Sequence, residues 1–385
     1  MTAEPVVIIG AGPVGAVAAL ALHGRGVRAR VLEARARGAG KDDRRAIALS
    51  WSSHLALDRL GIWRRIAAAD PIERVSVSER GAFGSIEFST ADLGAPALGF
   101  VVDYGDLASA SSAALDACAI PVEYGAAVTS LDAVKGGVGL QIERGGQPGE
   151  HLHAECVVLA DGAEGIEADA TLRRQGCAYR QVALVGEVDC ERFTRARAFE
   201  RFVGSGPLAL LPRRDHFSCV WVLEPARARA LQAAQGDALD QALRAAAGPG
   251  FGALRWRGMP REVPLALRRT RASAGARVVP IGNAAQVLHP VAGQGFNLGL
   301  RDALSLAAAW PPSATSAALD QALARYRRGR RTDRGFTIAV TDAIARITAV
   351  DHPLAAAVRG LGLAGIDMLP PLRRRALQTL VFGVD

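Results

Sequence analysis

Val6-Val7-Ile8-Ile9-Gly10-Ala11-Gly12-Pro13-Val14-Gly15 is followed by an alanine-rich run to Arg25 and then by Ala29-Arg30-Val31-Leu32-Glu33. The order is strand, glycine turn, helix, strand, acid, the layout that holds a dinucleotide. Gly10 permits the tight turn, Gly12 lets backbone approach a pyrophosphate, and Gly15 lets helix and strand pack closely. The helix amino terminus offers unpaired N–H groups and partial positive charge to phosphate oxygens. Glu33, 18 residues past Gly15, stands near the usual offset for an acid that binds ribose hydroxyls.

From this unit outward, the 385 residues predict two domains with ample material for a core. The formal charge of +8 comes almost wholly from arginine, since Lys41 and Lys135 are the only lysines. The arginines are scattered and have no aromatic ladder beside them, which argues against a nucleic-acid partner. Their densest cluster, Arg325, Arg327, Arg328, Arg330, Arg331 and Arg334, falls on a predicted helix and reads as a solvated face, with an acidic partner or anionic lipid as the sharper reading. Five cysteines, an odd number without CxxC spacing, fit reduced thiols in a cytoplasmic protein and no metal site. Val6 to Leu22 is uncharged, but it lacks a basic leader, is broken by Gly10, Gly12, Pro13 and Gly15, and is short for a membrane span.

Further along, Arg45 to Leu60 is expected as a helix, Ile72 to Phe88 as strands with a hairpin, and Leu107 to Ala119 as a helix. Strands are expected at Ala127 to Leu131, Val138 to Ile142 and His151 to Ala160. A β-rich stretch from Tyr179 to Leu223 follows, then a helix from Ala226 to Ala247. Arg277 to Ile281 reads as a buried strand, Pro311-Pro312 closes the next helix, and Leu319 to Val384 is mostly helical. The fold class is therefore α/β. A Rossmann-like nucleotide domain (1–70, 100–175, 270–312) is interrupted by a β-sheet substrate domain (71–99, 176–269), and a helical region (313–385) ends the chain.

Two further motifs converge on the first. Val157-Val158-Leu159-Ala160-Asp161-Gly162-Ala163 ends a strand in a carboxylate and a glycine turn. Val278 to Asp302 contains Gly282-Asn283-Ala284-Ala285-Gln286 and His289-Pro290-Val291-Ala292-Gly293-Gln294-Gly295-Phe296-Asn297-Leu298, in which a strand, a polar turn and a glycine-punctuated loop lead into a helix. That helix start can direct N–H dipoles at an anionic ring.

Together these motifs resemble the FAD-dependent aromatic hydroxylases of group A, the p-hydroxybenzoate-hydroxylase-like fold. Arg45-Ala46-Ile47-Ala48-Leu49-Ser50 and Leu361-Gly362-Leu363 with Leu369-Pro370-Pro371-Leu372 narrow the resemblance to the ubiquinone-biosynthesis hydroxylases. Gly282 to Gln286, together with Glu200-Arg201-Phe202 and Gly206 to Pro212, looks like the 2-polyprenyl-6-methoxyphenol hydroxylase branch. The wider group mostly has aspartate at position 283 and histidine at 286; asparagine keeps a hydrogen-bond acceptor for ribitol.

The resemblance implies FAD as cofactor, NAD(P)H or another donor as reductant, and oxygen transfer from a flavin C4a-hydroperoxide to a polyprenylated phenol. It places Gly10, Gly12 and Gly15 on the pyrophosphate, Glu33 on the adenosine ribose, and Arg45, Asp161 and Gly162 on FAD. Gly282 and Asn283 would meet pyrophosphate and ribitol, while Pro290, Gly293, Gln294, Gly295, Asn297 and Leu298 would frame the isoalloxazine. Loop N–H groups at Gly293 to Gly295 would stabilise the reduced ring. His289 is a candidate acid or base, or a brace for the loop before Pro290.

Arg213 and Arg214 are expected at the surface, and Tyr179 is a weaker substrate-side candidate. Phe199, Phe202, Phe217 and Trp221 read as core, with a wall for a prenyl tail as the sharper idea. The helix bearing Leu354, Val358 and Leu361, and the one bearing Leu372, Ala376 and Leu380 beside Arg373, Arg374 and Arg375, fit either an ordinary core helix or a membrane-surface helix at the inner face of a membrane. A different ring position in the same pathway, another FAD oxidoreductase, and a non-catalytic flavoprotein subunit of a quinone-synthesis complex stay open as alternatives.

Overall fold

The computed structural model describes residues 4–162, 166, 172–234, 236–273, 276–311 and 315–384. Ala163 of the second motif and Pro312 lie outside the described residues. The strands Val122–Tyr124, Arg30–Glu33, Glu4–Ile9 and Gln147–Leu159 run parallel in that order, and Val278–Pro280 pairs with the far edge of Gln147–Leu159. The antiparallel strands Gly137–Arg144 and Ala126–Val134 extend the sheet. A parallel sheet covered on both faces needs continuous apolar strands, which Val6 to Ile9 and Val157 to Leu159 supply. Val6 and Ile8 pack towards the helices Pro13–His23, Tyr104–Ala117 and Gln294–Ala309, while Val7 and Ile9 face Val128, Leu131 and Leu140 of the antiparallel extension. Small side chains at Ala16, Ala18 and Ala19 let the first helix lie close to the sheet.

A second, mostly antiparallel sheet contains Arg74–Glu79, Ser85–Ser89, Leu172–Cys190, Arg197–Phe202, Pro207–Arg213, His216–Leu223, Leu254–Trp256, Arg261–Ala272 and Gln286–Val287. Its last pairing, Arg268 with Val287, ties it to the loop that follows the nucleotide sheet. Phe217 and Trp221 are wholly buried, and Phe193, Phe199 and Phe251 pack edge-on around Phe217, so these aromatics form core rather than a ligand wall. The helices Ser316–Thr348, Pro353–Asp367 and Pro370–Phe382 complete the chain.

Several local expectations are corrected. Arg45 to Leu60 is not one helix: Ala46–Ser50 is a strand paired with Gly99–Asp103, and the helix Trp51–Arg59 starts only after Ser50, whose hydroxyl caps the Ser53 N–H. The alternation of Ile47 and Leu49 is the period of a strand, and a serine before the run marks the helix start. Ala226 to Ala247 divides into Pro225–Ala234 and Gly236–Ala247. The strand Arg261–Ala272 was not expected, because its arginines conceal the half-buried alternation.

The arginine cluster is not wholly solvated. Arg330 is buried between Asp302 (2.9 Å) and Asp333 (2.5 Å), and Arg334 reaches Asp302 (2.8 Å) and the Tyr326 hydroxyl (2.8 Å). Arg213 is likewise buried, paired with Asp103 at 2.5 Å, whereas Arg214 is exposed.

Candidate flavin and substrate site

The glycine turn is held by contacts that exclude side chains. Gly10 has φ +101°, and a Cβ there would lie 2.5 Å from the Ala160 carbonyl oxygen; a Cβ on Gly15 would lie 2.0 Å from the Gly10 carbonyl oxygen. Gly12 caps the helix without any side-chain hydrogen bond, so no capping side chain occupies the first-turn N–H groups, which are the kind of donors a phosphate takes. Glu33 accepts from the Ala11 N–H (2.8 Å), the Arg35 N–H (3.1 Å) and the Arg35 Nε (2.9 Å), which sets its carboxylate at the mouth of the same turn. Asp161 follows the neighbouring strand, its Cα within 3.0 Å of a Cβ built on Gly10.

Arg45 stacks over Tyr104, 4.9 Å from the ring centre, and binds Asp43 at 2.8 Å. Burial, the largest single influence, opposes ionisation of Asp43, but the Arg45 side-chain and backbone hydrogen bonds together with the charges of Arg45 and Arg261 outweigh it and hold that carboxyl below its usual value. The Tyr104 hydroxyl lies 3.5 Å from a Cβ built on Gly12, so Arg45 and Tyr104 flank the phosphate turn. Tyr104 is a residue the sequence reading missed; it opens an ordinary helix and has no motif of its own.

The third motif arrives beside the first. After Val278–Pro280, the Ile281 N–H donates to the Leu159 carbonyl (2.9 Å), and Gly282–Ala284 forms a turn with Asn283 exposed. Asp302 steadies this turn from behind, accepting from the Gly282 N–H (3.4 Å) and from Gln286 Nε2 (2.8 Å). Gln286 therefore acts as a buried donor to Asp302.

The loop Pro290 to Gln294 is braced at several points. Ala292 adopts a left-handed φ of +57°, a strained conformation for a residue with a Cβ. The Asn297 side chain accepts from the Ser50 N–H (2.9 Å) and the Ser53 hydroxyl (2.8 Å) and donates to the Ala48 and Gly293 carbonyls (both 3.0 Å). Asn297 thus spends its polar groups clamping the loop to the strand Ala46–Ser50. Gln294 donates to the Ala292 (3.3 Å) and Leu380 (3.2 Å) carbonyls, tying the loop to the last helix. Leu298 is wholly buried and Pro290 half-buried. A Cβ added to Gly295 or Gly162 would meet no atom within 4 Å, so open space lies beside both.

His289 is buried, and its Nδ1 accepts the Val291 N–H (3.3 Å) while Tyr179 packs edge-on at 5.2 Å. Burial pushes its pKa down to about 4, so it is a neutral brace for the loop at neutral pH. Tyr179 donates to Asp342 at 2.9 Å, and burial raises its pKa further above the ordinary phenol value.

The group that faces the loop from the second sheet is Glu200. Its Oε1 accepts the Ala292 N–H at 3.4 Å, and burial pushes its pKa up to about 7. The sequence placed Glu200 in a recognisable stretch but gave it no role. The usable signal was strand alternation, which puts Glu200 on the same face as the buried Ala198 and Phe202 and opposite Arg201.

These features fit FAD: glycines whose Cβ atoms would collide in the turn, an acid at the second strand, two helix amino termini, and open space at Gly162 and Gly295. Among the described residues no cluster could hold a metal ion.

The comparisons agree. A model of the FAD binding domain family matches residues 3–335. The ubiquinone hydroxylase UbiL of Rhodospirillum rubrum is 30% identical over 99% of this chain and 91% of its own length. The 3-demethoxyubiquinol 3-hydroxylase of Escherichia coli is 30% identical over 98% of this chain and 99% of its own. The crystal structure of p-nitrophenol 4-monooxygenase PnpA from Pseudomonas putida superposes with a TM-score of 0.78 at 20% identity, covering 98% of this chain and 97% of that one, which shows the shared fold. The chain belongs to the FAD-binding family of flavoprotein monooxygenases that contains the ubiquinone-biosynthesis hydroxylases, and it is an FAD-dependent hydroxylase.

Proposed function

We propose that the substrate is a polyprenylated phenol of the 2-polyprenyl-6-methoxyphenol class, hydroxylated on its ring during ubiquinone biosynthesis, with NAD(P)H as electron donor. The near full-length match to two ubiquinone-pathway hydroxylases supports the pathway. The observation that carries the phenol is Glu200, a carboxyl with a pKa near 7 set against the loop that frames the flavin.

Bound FAD supplies oxygen activation and transfer. Gly10, Gly12, Gly15, Glu33 and Arg45 would hold its adenosine and pyrophosphate portion, with Asp161, Gly162, Gly282 and Asn283 along the pyrophosphate and ribitol. The start of the helix Gln294–Ala309 favours negative charge at the ring edge through its N–H groups. The phenol lies between this loop and the strand Arg197–Phe202. Glu200 accepts the proton of the phenol hydroxyl, which raises electron density at the ring carbon that receives oxygen. A base with a pKa near the working pH suits this task. His289, neutral and already hydrogen-bonded, holds the loop.

A second reading, hydroxylation at a different ring position in the same pathway, is favoured by the equal identity to the 3-demethoxyubiquinol hydroxylase. Deleting the gene and identifying the accumulated quinone precursor by mass spectrometry separates the two. A 2-polyprenyl-6-methoxyphenol, which keeps its methoxy group but lacks the next ring hydroxyl and the ring methyl, supports the main reading. A methoxylated, methylated precursor lacking only the last hydroxyl supports the second, and an unchanged quinone profile removes both.

A further inference from the structure

The helix Pro353–Asp367 is amphipathic in the reverse sense. Its outward positions are Leu354, Ala357, Val358, Leu361, Gly362 and Gly365, without a charge among them. Its arginine turns inward: Arg359 grips the buried Glu79 through Nε (2.8 Å) and Nη2 (2.7 Å) and donates to the Ile347 and Val350 carbonyls at 2.9 and 3.1 Å. A helix lying on a solvated surface shows the opposite arrangement.

A second element joins the same surface. The tip of the hairpin between Arg74–Glu79 and Ser85–Ser89 presses its backbone on the helix, for a Cβ on Gly84 would lie 2.0 Å from the Gly360 carbonyl oxygen. Beside this contact Phe83 projects into solvent. Phe83, Leu354, Val358, Leu361 and Met368 are each between 66% and 89% exposed, and Leu369 and Leu372 continue the patch. Contiguous exposed apolar residues of this size mark an interaction surface.

The charges at its rim indicate the occupant. Four of the neighbouring acids are paired with arginines, Glu79 with Arg359, Asp92 and Asp367 with Arg373, and Glu87 with Arg197, while Asp351 before the helix is exposed and acts on Arg359 from a distance. Arg80, Arg374 and Arg375 are exposed and make no ion pair among the described residues. A second copy docked face to face would bring these arginines against their own kind. Anionic headgroups over an apolar layer complement both parts of the surface.

We infer that the outer face of Pro353–Asp367, together with Phe83, docks on the surface of an anionic lipid bilayer, lying in the interface without crossing it. No helix among the described residues is long and apolar enough to span a membrane. The proposed function supplies only the purpose, delivery of a prenylated phenol from the lipid phase. Vesicles without any quinone precursor test the docking independently.

The FAD-loaded full chain is floated with phosphatidylcholine vesicles, with and without about one-third phosphatidylglycerol, at low and high salt. The expected result is flotation with the anionic vesicles, weakened by salt. The V358E/L361E variant and, separately, F83S are expected to lower the bound fraction at least tenfold, with flavin content and melting temperature unchanged. Three outcomes overturn the inference: wild-type protein that stays in solution with anionic vesicles, a V358E/L361E variant that floats equally well, or a wild-type dimer that this variant converts to monomer, which would make the patch an interface between copies.

Discussion

Glu33, Glu79, Asp92, Asp103, Asp302 and Asp333 are buried acids, and each faces an arginine. Glu200 faces the Ala292 amide instead. Its pKa of about 7 in the folded chain lies above the ordinary glutamate value. Its contribution to stability is therefore full below that ordinary value and is lost as pH rises through about 7. Activity runs the other way, because only the ionised carboxylate accepts a proton. We predict that kcat/KM rises with pH to a plateau above about 7, and that Glu200→Gln removes this limb and lowers kcat/KM about a hundredfold. A pH profile of both proteins with a soluble short-chain phenol checks this. Asn297 makes a complementary prediction. Asn297→Leu strands the Ser50 N–H and the Ala48 and Gly293 carbonyls, so thermal unfolding should show a loss of about 3 kcal/mol.

At the scale of elements, the glycine turn and the arginine network make different demands. Gly15→Val would drive a side chain into the Gly10 carbonyl, and the variant should purify without flavin absorbance while wild type is yellow. Asp302 lies between Arg330 and Arg334. Burial disfavours its charge, but Arg334 and Arg330 outweigh that and hold its carboxyl below the usual range. Its stabilisation is present above the ordinary aspartate pKa of about 4 and is lost as pH falls through the lower folded value. Asp302→Ala removes the buried carboxylate that Arg330 and Arg334 share, leaving Arg330 only Asp333 and Arg334 no carboxylate, and should cost about 3–5 kcal/mol by urea unfolding at neutral pH.

The glycine turn was legible in the sequence because its residues act on one another within a few positions. The Asp302 network was not, since its partners come from Gly282, Gln286, Arg330 and Arg334 and only the folded chain brings them together. The strand Ala46–Ser50 was misread for a related reason: its partner Gly99–Asp103 lies some fifty residues away. The periodicity of Leu354, Val358 and Leu361 was plain, but only the placement of Arg359 on Glu79 decided that this stripe faces outward.

For the whole molecule, the parallel sheet supplies two helix amino termini and the second sheet supplies Glu200, so the site exists only where the two meet at Ala292. The family was legible because its three motifs all belong to the nucleotide sheet and its loops. The substrate face was not, because strand registers set by distant pairings determine it. The central claim is that this site inserts one oxygen atom from O₂ into a phenol ring. The decisive measurement is mass spectrometry of the product formed by FAD-loaded protein, NAD(P)H and a polyprenylated phenol under ¹⁸O₂. The account predicts a single labelled oxygen on the ring and no product without oxygen. Consumption of NAD(P)H with only peroxide released, or the same product formed anaerobically, would contradict it.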